Sequence, residues 1–520
     1  MTSPQQVSVS PKKGHTAGSA AALLMASALC SGLLGLVRIA YINDLWGPGV
    51  EQDAYRAAFQ LPEMLAYFLA GSAASISLVT LLNRYREKGD EKGGHEALSV
   101  ILSSMMAVLI AGVLLAEIFA PLYVRIFIKG FVVGSPRFVM CVTLTRILLP
   151  VQLFFFFGSM MSAHLQVRKI FIYQAFVPLI YNAGIILGAL LLHTRLHIYS
   201  LAVGAVAGVV LGATLLNTLG ALRTGLRFRP QINFRHPIFN EWLLLSLPLL
   251  LGVSLVKADE WILTYFASAG VGNLTIIKTA KDLFNAPFNI IGPAAGAASL
   301  PFFASLFQQE RLEDFSRSVS RSVSRLFAVG MLVSACMIAL APWLMDLFRR
   351  GAFHRSDAKE TSFLFSIFAI TLAIWAVQGI YARAFYAAAN TLTPALTGIL
   401  ATVVSIPLYW LLFKLHGLTG LAIASDLAML VQTAALAILL HGKRLVSLSH
   451  LEYPELARAL IAAIVSFIAA YALVHKLPSV TTHFGDLLML SAGSAAWLVT
   501  AAIVLVATGS KLPRQILRRG

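Results

Sequence analysis

The sequence predicts an all-α protein that crosses a membrane many times. Of its 520 residues, 58% are hydrophobic and only 12% are charged, whereas a soluble globular protein carries about 25% charged residues. The mean hydropathy is +0.79. Apolar runs of about 20 residues, the length that spans a bilayer as a helix, recur along the whole chain. By that rule we predict about fourteen transmembrane helices.

Each predicted span is an apolar run between polar or Gly/Pro-rich turns. The first six are 18–43, 53–83, 95–120, 137–164, 171–193 and 198–222. The next six are 240–268, 273–306, 320–347, 358–388, 393–415 and 417–441. A final pair is 455–475 and 485–509.

The distribution of Lys and Arg between the connections predicts the orientation of the spans. Alternate connections are rich in both residues, whereas the turns at 43–52 and 268–273 have neither. An even number of spans puts both basic termini on one side, which is the cytoplasmic side. Arg349, Arg350 and Arg355 fall on the opposite side, where we expect a short structured segment. The net charge of +17 is scattered over span ends, so membrane topology explains it better than nucleic-acid binding does.

An internal repeat predicts the domain organisation. The sequence IFIKGF at 126–131 is similar to LFRRGAF at 347–353, and in each copy a second similar stretch follows about 70 residues later. Because an even number of spans separates the copies, the repeats are parallel and suit alternating access, with the site between them. The predicted segments are an N-terminal cytoplasmic tail, a six-helix N-lobe, a basic linker, a six-helix C-lobe, a C-terminal helix pair and a basic tail, at 1–17, 18–222, 223–239, 240–441, 442–510 and 511–520.

Motifs for enzymatic chemistry are missing from the sequence. It has no Walker loop, no HExxH, no GxSxG and no His/Cys cluster with metal-ligand spacing. We therefore predict a transporter rather than an enzyme, without a cofactor or a metal. Without a nucleotide-driven engine, transport is downhill or coupled to the membrane potential or to a cation that the sequence does not identify.

The stretch Gly35–Ala74 carries charges within apolar runs. Such charges are costly and are tolerated mainly where they face a bundle interior or a watery cavity. Arg38 near the outer end of the first span either reaches the membrane interface or lines a cavity. Asp53 and Arg56 open the second span, where Asp53 either caps the helix or takes part in transport.

The seventh and eighth spans carry a further set of charges inside apolar runs. Lys278 and Asp282 are four residues apart and can pair on one helix face. These charges form either a structural ion-pair network or a polar path, and we favour the path. The charged residues of this region are Lys257, Asp259, Glu260, Lys278, Lys281 and Asp282.

Other features of the spans are weaker candidates. Pro287, Gly292 and Pro293 could bend the eighth helix and form a hinge. Arg146 lies deep enough in its span to be a cavity candidate. Asp426 either binds a cation or a proton or forms a hydrogen bond to a neighbouring helix.

Several motifs carry a resemblance to a known family. They are SGLLGLVR at 31–38, GPGVEQDAYRAAFQLPEML at 47–65, VPLIYNAGII at 177–186, LFRRGAF at 347–353 and RAFYAAANTLTPAL at 383–396. With them the chain resembles the MurJ/MviN family of lipid II flippases, within the larger group of multidrug and oligosaccharidyl-lipid exporters.

The resemblance implies a fold and a function. Two six-helix lobes would form a V around a cationic cavity, and the last two helices would line a groove for a lipid tail. The cargo would be an undecaprenyl pyrophosphate-type lipid-linked oligosaccharide, most directly lipid II, moved to the outer leaflet of the bacterial cytoplasmic membrane by a monomer. By the same resemblance, Arg38 corresponds to a functionally important arginine and Asp53 to an acidic residue of the second helix.

The resemblance also gives the intramembrane charges their expected roles, because cations suit a pyrophosphate. The expected pyrophosphate-binding residues are Arg38, Lys278, Lys281, Arg146 and Lys257. The expected charge partners are Asp53, Arg56, Asp259, Glu260 and Asp282.

The chain departs from the family pattern at Gly32, Ala66 and Tyr67, where relatives carry arginines, and in the order Lys281–Asp282. These departures keep open an exopolysaccharide or O-antigen precursor as cargo. A membrane scaffold without transport is the third alternative.

Overall fold

A computed structural model describes residues 17–65, 67, 72–250, 255–476 and 483–513. In these residues the secondary structure is helical, with no β-strand. This agrees with the predicted all-α class. Residues 1–16 and 514–520, which make up most of the two predicted tails, lie outside the described residues, as does Ala66.

The first half of the chain forms helices α1 to α10. Their bounds are α1 Ala17–Trp46, α2 Val50–Ala58, α3 Gln60–Leu65, α4 Ser72–Glu87, α5 Glu91–Phe127, α6 Pro136–Leu148, α7 Val151–Val167, α8 Ile172–Leu196, α9 Tyr199–Val209 and α10 Asn217–Arg223. A π-helical segment, Val210–Leu216, joins α9 to α10.

The second half forms helices α11 to α19. Their bounds are α11 Pro237–Leu250, α12 Leu255–Ala267, α13 Asn273–Gln308, α14 Leu312–Asp346, α15 Arg355–Ile370, α16 Leu372–Ala387, α17 Leu392–Gly442, α18 Tyr453–Lys476 and α19 His483–Ala507. A 3₁₀ turn, Leu448–His450, precedes α18.

Several predicted spans contain more than one helical segment. The span predicted at 53–83 overlaps α2, α3 and α4. Helix α17 is interrupted at Gly417, whose φ of +58° and ψ of −134° are not helical. This break lies at the first residue of the span predicted at 417–441, just after the span predicted at 393–415. Helix α13, by contrast, runs through Pro287, Gly292 and Pro293 without interruption, and their hinge role stays a prediction.

The number of spans can be compared with helix length and composition. Among the described residues, nine helices are long and apolar enough to cross a membrane. A tenth is obtained if α15 and α16, bent by 41° at their junction, are counted as one span. The exact count of fourteen therefore stays a prediction.

A short structured segment links α14 to α15, as expected from the three arginines of this region. Gly351 has a φ of +47°, and the Ala352 N–H donates to the Asp44 carbonyl oxygen at 2.8 Å. The Asp357 carboxylate accepts from the His354 N–H at 2.8 Å and so caps α15.

The chain folds as two compact units that are each discontinuous in sequence. The first unit comprises the described parts of Met1–Arg38, Leu61–Ala120 and Leu144–Leu251, and the second comprises those of Ile39–Gln60, Pro121–Thr143 and Gly252–Gly520. In the second unit, α2 packs against α13, and α18 and α19 pack against α14. The Trp497 indole N–H donates to the Leu332 carbonyl oxygen at 2.9 Å within this packing. The predicted lobe boundaries stay predictions.

Helices α8 and α9 of the first unit approach each other through glycines. Gly184 and Gly188 on α8 face Gly204 and Gly208 on α9. Small residues at a spacing of four let membrane helices pack closely, because no side chain separates their backbones. A Cβ at Gly204 would lie only 2.5 Å from the Gly184 carbonyl oxygen.

We predict that Gly204→Ala lowers the free energy of unfolding by about 1–3 kcal/mol, because the added methyl group forces the two backbones apart. The measurement is thermal unfolding of the detergent-purified protein. Gly35→Ala is the matched control, since a Cβ there meets no heavy atom within 4 Å. Equal unfolding temperatures for both variants would contradict the close packing of α8 on α9.

Candidate functional site

The Asp53 carboxylate, in the second unit, has hydrogen-bond partners on both of its oxygens. Its side chain is fully buried. One carboxylate oxygen accepts from the Gly272 N–H at 2.7 Å, and the other accepts from the Thr275 N–H at 2.9 Å and the Thr275 hydroxyl at 2.7 Å. Asp53 on α2 therefore caps the N-terminus of α13, where an acid is favoured by the unpaired N–H groups and the helix dipole.

Arg137, in the first turn of α6, supplies the positive charge beside Asp53. Its guanidinium donates to the Asp53 carboxylate at 3.1 Å and to the carbonyl oxygens of Ser268 and Gly270 at 3.0 and 3.1 Å. The same guanidinium lies 4.4 Å from the centre of the Phe131 ring. The pair thus fastens α2 and α6 to the turn that precedes α13.

Arg56, one turn after Asp53 on α2, makes a second contact with α13. It donates to the Asp282 carboxylate at 2.8 Å and to the Thr279 hydroxyl at 2.9 Å. Asp282 therefore pairs with Arg56 rather than with Lys278, its neighbour on the same helix. In this pair the Arg56 side chain is 11% exposed, whereas the Asp282 side chain is 38% exposed.

Lys281 lies at the centre of a second buried cluster, between α12, α13 and α17. Its ammonium is 3.1 Å from the Asp259 carboxylate and donates to the Ser425 hydroxyl at 3.1 Å. It also lies 3.9 Å from the centre of the Trp375 ring and 4.3 Å from that of Phe368. Aromatic faces stabilise a cation that has lost its water.

Two further polar contacts complete the cluster. The Tyr409 hydroxyl donates to Asp259, so that this acid is held by both Lys281 and Tyr409. The Thr371 hydroxyl donates to Asp426 at 2.5 Å. Asp426 therefore forms a hydrogen bond to the junction of α15 and α16, which corresponds to one of the two alternatives left open by the sequence.

The remaining candidate residues are not members of these two clusters. Lys257 pairs with Glu260 on the same helix at 3.1 Å. Arg146 belongs to the first unit, where it donates to the Glu117 carbonyl oxygen at 3.1 Å. Arg38 also belongs to the first unit and is partly buried. Lys278 is partly buried on α13.

Sequence reasoning missed Arg137 and gave no pairing role to Tyr409. Arg137 follows Pro136, and Pro is typical of the first position of a helix. This pattern could have predicted that Arg137 lies in the first turn of a membrane span. A tyrosine deep in an apolar span needs a hydrogen-bond partner for its hydroxyl. Among the described residues, no group of three or more His, Cys, Asp or Glu side chains is arranged to hold a metal ion.

Comparison with known proteins identifies the family. The family model described as "Lipid II flippase MurJ" matches residues 42–493. The chain belongs to the MurJ family. This confirms the resemblance found in the sequence motifs, and it places the chain among membrane transporters rather than enzymes.

Relatives and solved structures agree with the MurJ family. The chain is 25% identical to the "Probable lipid II flippase MurJ" of Vibrio cholerae, over 82% of this chain and 83% of that one. It is 24% identical to the "Lipid II flippase MurJ" of Burkholderia cenocepacia, over 76% of this chain and 78% of that one.

The solved structures show the fold. A structure of "Lipid II flippase MurJ, inward closed conformation" has a TM-score of 0.76 at 19% identity and covers 94% of this chain and 99% of that one. An inward-facing multidrug resistance MATE family transporter has a TM-score of 0.66 at 14% identity and covers 81% of this chain and 98% of that one. The chain therefore has the all-helical membrane fold that MurJ shares with these transporters.

We predict that Asp53→Asn lowers the free energy of unfolding by about 3–5 kcal/mol, because it leaves the Arg137 guanidinium buried without an anion. Thermal unfolding of the purified protein measures the effect. The matched control is Glu313→Gln, which breaks the solvent-exposed pair with Arg317 and should change little. Similar losses in the two variants would show that Asp53 is not the anchor of α13.

We predict that Lys281→Met is strongly destabilising and that the double variant Lys281→Met/Asp259→Asn recovers most of the loss. The single change leaves a buried carboxylate without its cation, whereas the double change leaves a neutral amide that still accepts from Tyr409. A double-mutant cycle on thermal unfolding measures the coupling. Simple additivity of the two losses would contradict a direct Lys281–Asp259 interaction.

Proposed function

We propose that this protein is a flippase that moves lipid II from the inner to the outer leaflet by alternating access. Two lines of support meet here. The chain belongs to the MurJ family, and curated relatives along most of its length carry the name lipid II flippase. Charged side chains, in addition, lie within helices that are otherwise apolar, as expected of a path for a polar head group.

The pairing of α2 with α13 is the observation that carries the mechanism. Helix α2 has only nine residues, and it is held to α13 through Asp53 and Arg56. Polar contacts of this kind can be exchanged for water or for another charged group when a passage opens. We infer that these contacts break and re-form during each transport cycle.

We assign the cargo-binding roles according to how exposed each cationic side chain is. The Lys281 ammonium is almost fully buried against Asp259, so we assign it to hold α12 and α13 together in this state. Arg38 and Lys278 are partly buried, and we assign them to contact the pyrophosphate, which Arg binds well through its forked donors. Lys257 and Arg146, each beside a carboxylate, are secondary candidates.

The cellular setting belongs to the same proposal. We propose a monomer in the bacterial cytoplasmic membrane with both termini in the cytoplasm, in accord with the basic connections on that side. The transport step would be driven by the membrane potential or by a cation. Moving one charge through a membrane potential of 100 mV is worth about 2.3 kcal/mol.

We predict that Arg38→Ala abolishes complementation of a bacterium depleted of its own lipid II flippase, while the variant still inserts in the membrane. The reason is the loss of a guanidinium for the pyrophosphate. Growth after depletion and membrane immunoblotting are the two measurements. Arg195→Ala, at an exposed position near the end of α8, is the matched control and should complement. Normal growth with Arg38→Ala would remove Arg38 from the mechanism.

The proposed cargo is tested directly by the leaflet accessibility of lipid II. In the depleted cells, wild-type protein should restore exposure of lipid II at the outer leaflet. Loss of surface polysaccharide without accumulation of lipid II in the inner leaflet of the native host would point instead to an exopolysaccharide or O-antigen precursor. An unchanged phenotype after neutral replacement of the charged residues would point to a scaffold.

A further inference from the structure

A cavity of about 360 Å³ lies within the first unit and is lined by residues of α1, α4, α7, α8, the π-helix and α10. None of the described residues that line it carries a charge. Hydroxyl and amide side chains line it instead, and they are Ser27, Ser75, Ser159, Ser162, Gln166, Gln174 and Asn217. This cavity is chemically different from the charged clusters of the second unit.

Asn217 leaves one buried polar atom unused. Its side chain is nearly inaccessible to solvent, with the residue 3% exposed. The amide nitrogen donates to the carbonyl oxygens of Ala213 and Gly158 at 2.9 and 3.3 Å. The amide oxygen accepts no hydrogen bond within the part of the chain that the structure describes. A buried acceptor without a donor is costly, so a donor from a bound molecule would stabilise it.

Two glutamines and a serine continue the polar lining. The Gln166 amide donates to the Ser162 hydroxyl, and that hydroxyl donates to the Gln174 amide oxygen, both at 3.4 Å. These long contacts leave the Gln166 oxygen and the Gln174 nitrogen outside the chain of hydrogen bonds. The cavity therefore offers at least one donor and one acceptor on neighbouring helices.

The backbone at the cavity wall is itself irregular. The π-helix Val210–Leu216 contributes Ala213 to the lining, and π-helical segments within α-helices occur frequently at functional sites. Gly158 on α7 packs directly against this segment, since a Cβ there would lie 2.2 Å from the Ala213 carbonyl oxygen. The irregular segment thus has a fixed position beside the unused Asn217 oxygen.

We propose that this cavity binds the uncharged, sugar-bearing part of the lipid-linked cargo, a ligand class of N-acetylated hexosamines. This inference rests on the proposed flippase function. Sugar hydroxyl and acetamido groups both donate and accept hydrogen bonds, which matches the lining of hydroxyls and amides. Phe155 and Pro178, which also line the cavity, offer apolar surface to the C–H face of a sugar ring.

The size and polarity of the cavity support this choice of ligand. Its volume lies at the lower end of the range for small-molecule sites, about 300–1,000 Å³. A polyprenyl chain would leave the amides unpaired, and a pyrophosphate would find no cation among the described lining residues. An uncharged polar ligand is the one that satisfies the lining.

The test compares two lipids that differ only in their sugars and peptide. Purified full-length protein in lipid nanodiscs is titrated with lipid II and with undecaprenyl pyrophosphate. Gln174→Met keeps the side-chain volume and removes the amide. It should weaken lipid II binding about tenfold, as expected for the loss of one or two hydrogen bonds, and leave undecaprenyl pyrophosphate binding unchanged. Gln309→Met, at an exposed position, is the matched control and should bind both lipids as wild type does.

A second variant, with a smaller change, distinguishes a loss of binding from a loss of folding. Ser162→Ala changes a single oxygen, and it should show the same selective loss with an unchanged unfolding temperature. Equal loss for both lipids, or no loss for either, in correctly folded variants would overturn the assignment of this cavity while leaving the flippase function intact. Failure of the wild-type protein to bind or move lipid II would instead overturn the proposed function, and the cavity assignment with it.

Discussion

An ionised side chain in an apolar membrane interior must have a partner, and this constraint organises the second unit. Removing a charge from water costs several kcal/mol, and this cost is offset only by an opposite charge with good hydrogen-bond geometry. Asp53 meets the requirement with Arg137 and with donors at the start of α13. Lys281 meets it with Asp259 and Ser425. In this state, these contacts therefore hold the helices that carry these residues together.

The sequence predicts which residues need partners better than it predicts who the partners are. The spacing of Lys278 and Asp282 fits an ion pair on one helix, yet Asp282 binds Arg56, which is 226 positions away in the chain. An ion pair between residues three or four positions apart stabilises a helix by only about 0.2–0.5 kcal/mol. Such small preferences are overridden when tertiary packing brings an arginine, with its forked donors, to the same carboxylate.

Helix existence follows from hydropathy, whereas helix continuity does not. The apolar run 53–83 contains three helical segments, while α13 continues through Pro287, Gly292 and Pro293. Neighbouring helices and local backbone adjustments can satisfy the groups that a proline frees, so proline alone does not fix a break in a membrane helix. The π-helix at Val210–Leu216 is not predicted from the hydropathy pattern, and it packs against α7, where Thr214 donates to the Phe154 carbonyl oxygen.

Pairing in the empty state also limits how tightly a transporter holds its cargo. If none of the cations had an anionic partner before the cargo bound, binding of a pyrophosphate would form several strong ion pairs at once. Release of the cargo would then be slow. Lys257 already pairs with Glu260, and Arg56 already pairs with Asp282. An anion that binds such a cation must displace the carboxylate, so the net gain in binding free energy is small. Transport requires a site that binds the cargo strongly enough for it to enter and weakly enough for it to leave. Neutral hydrogen bonds, each worth about 0.5–1.5 kcal/mol, serve the same need, because they can distinguish a sugar without trapping it.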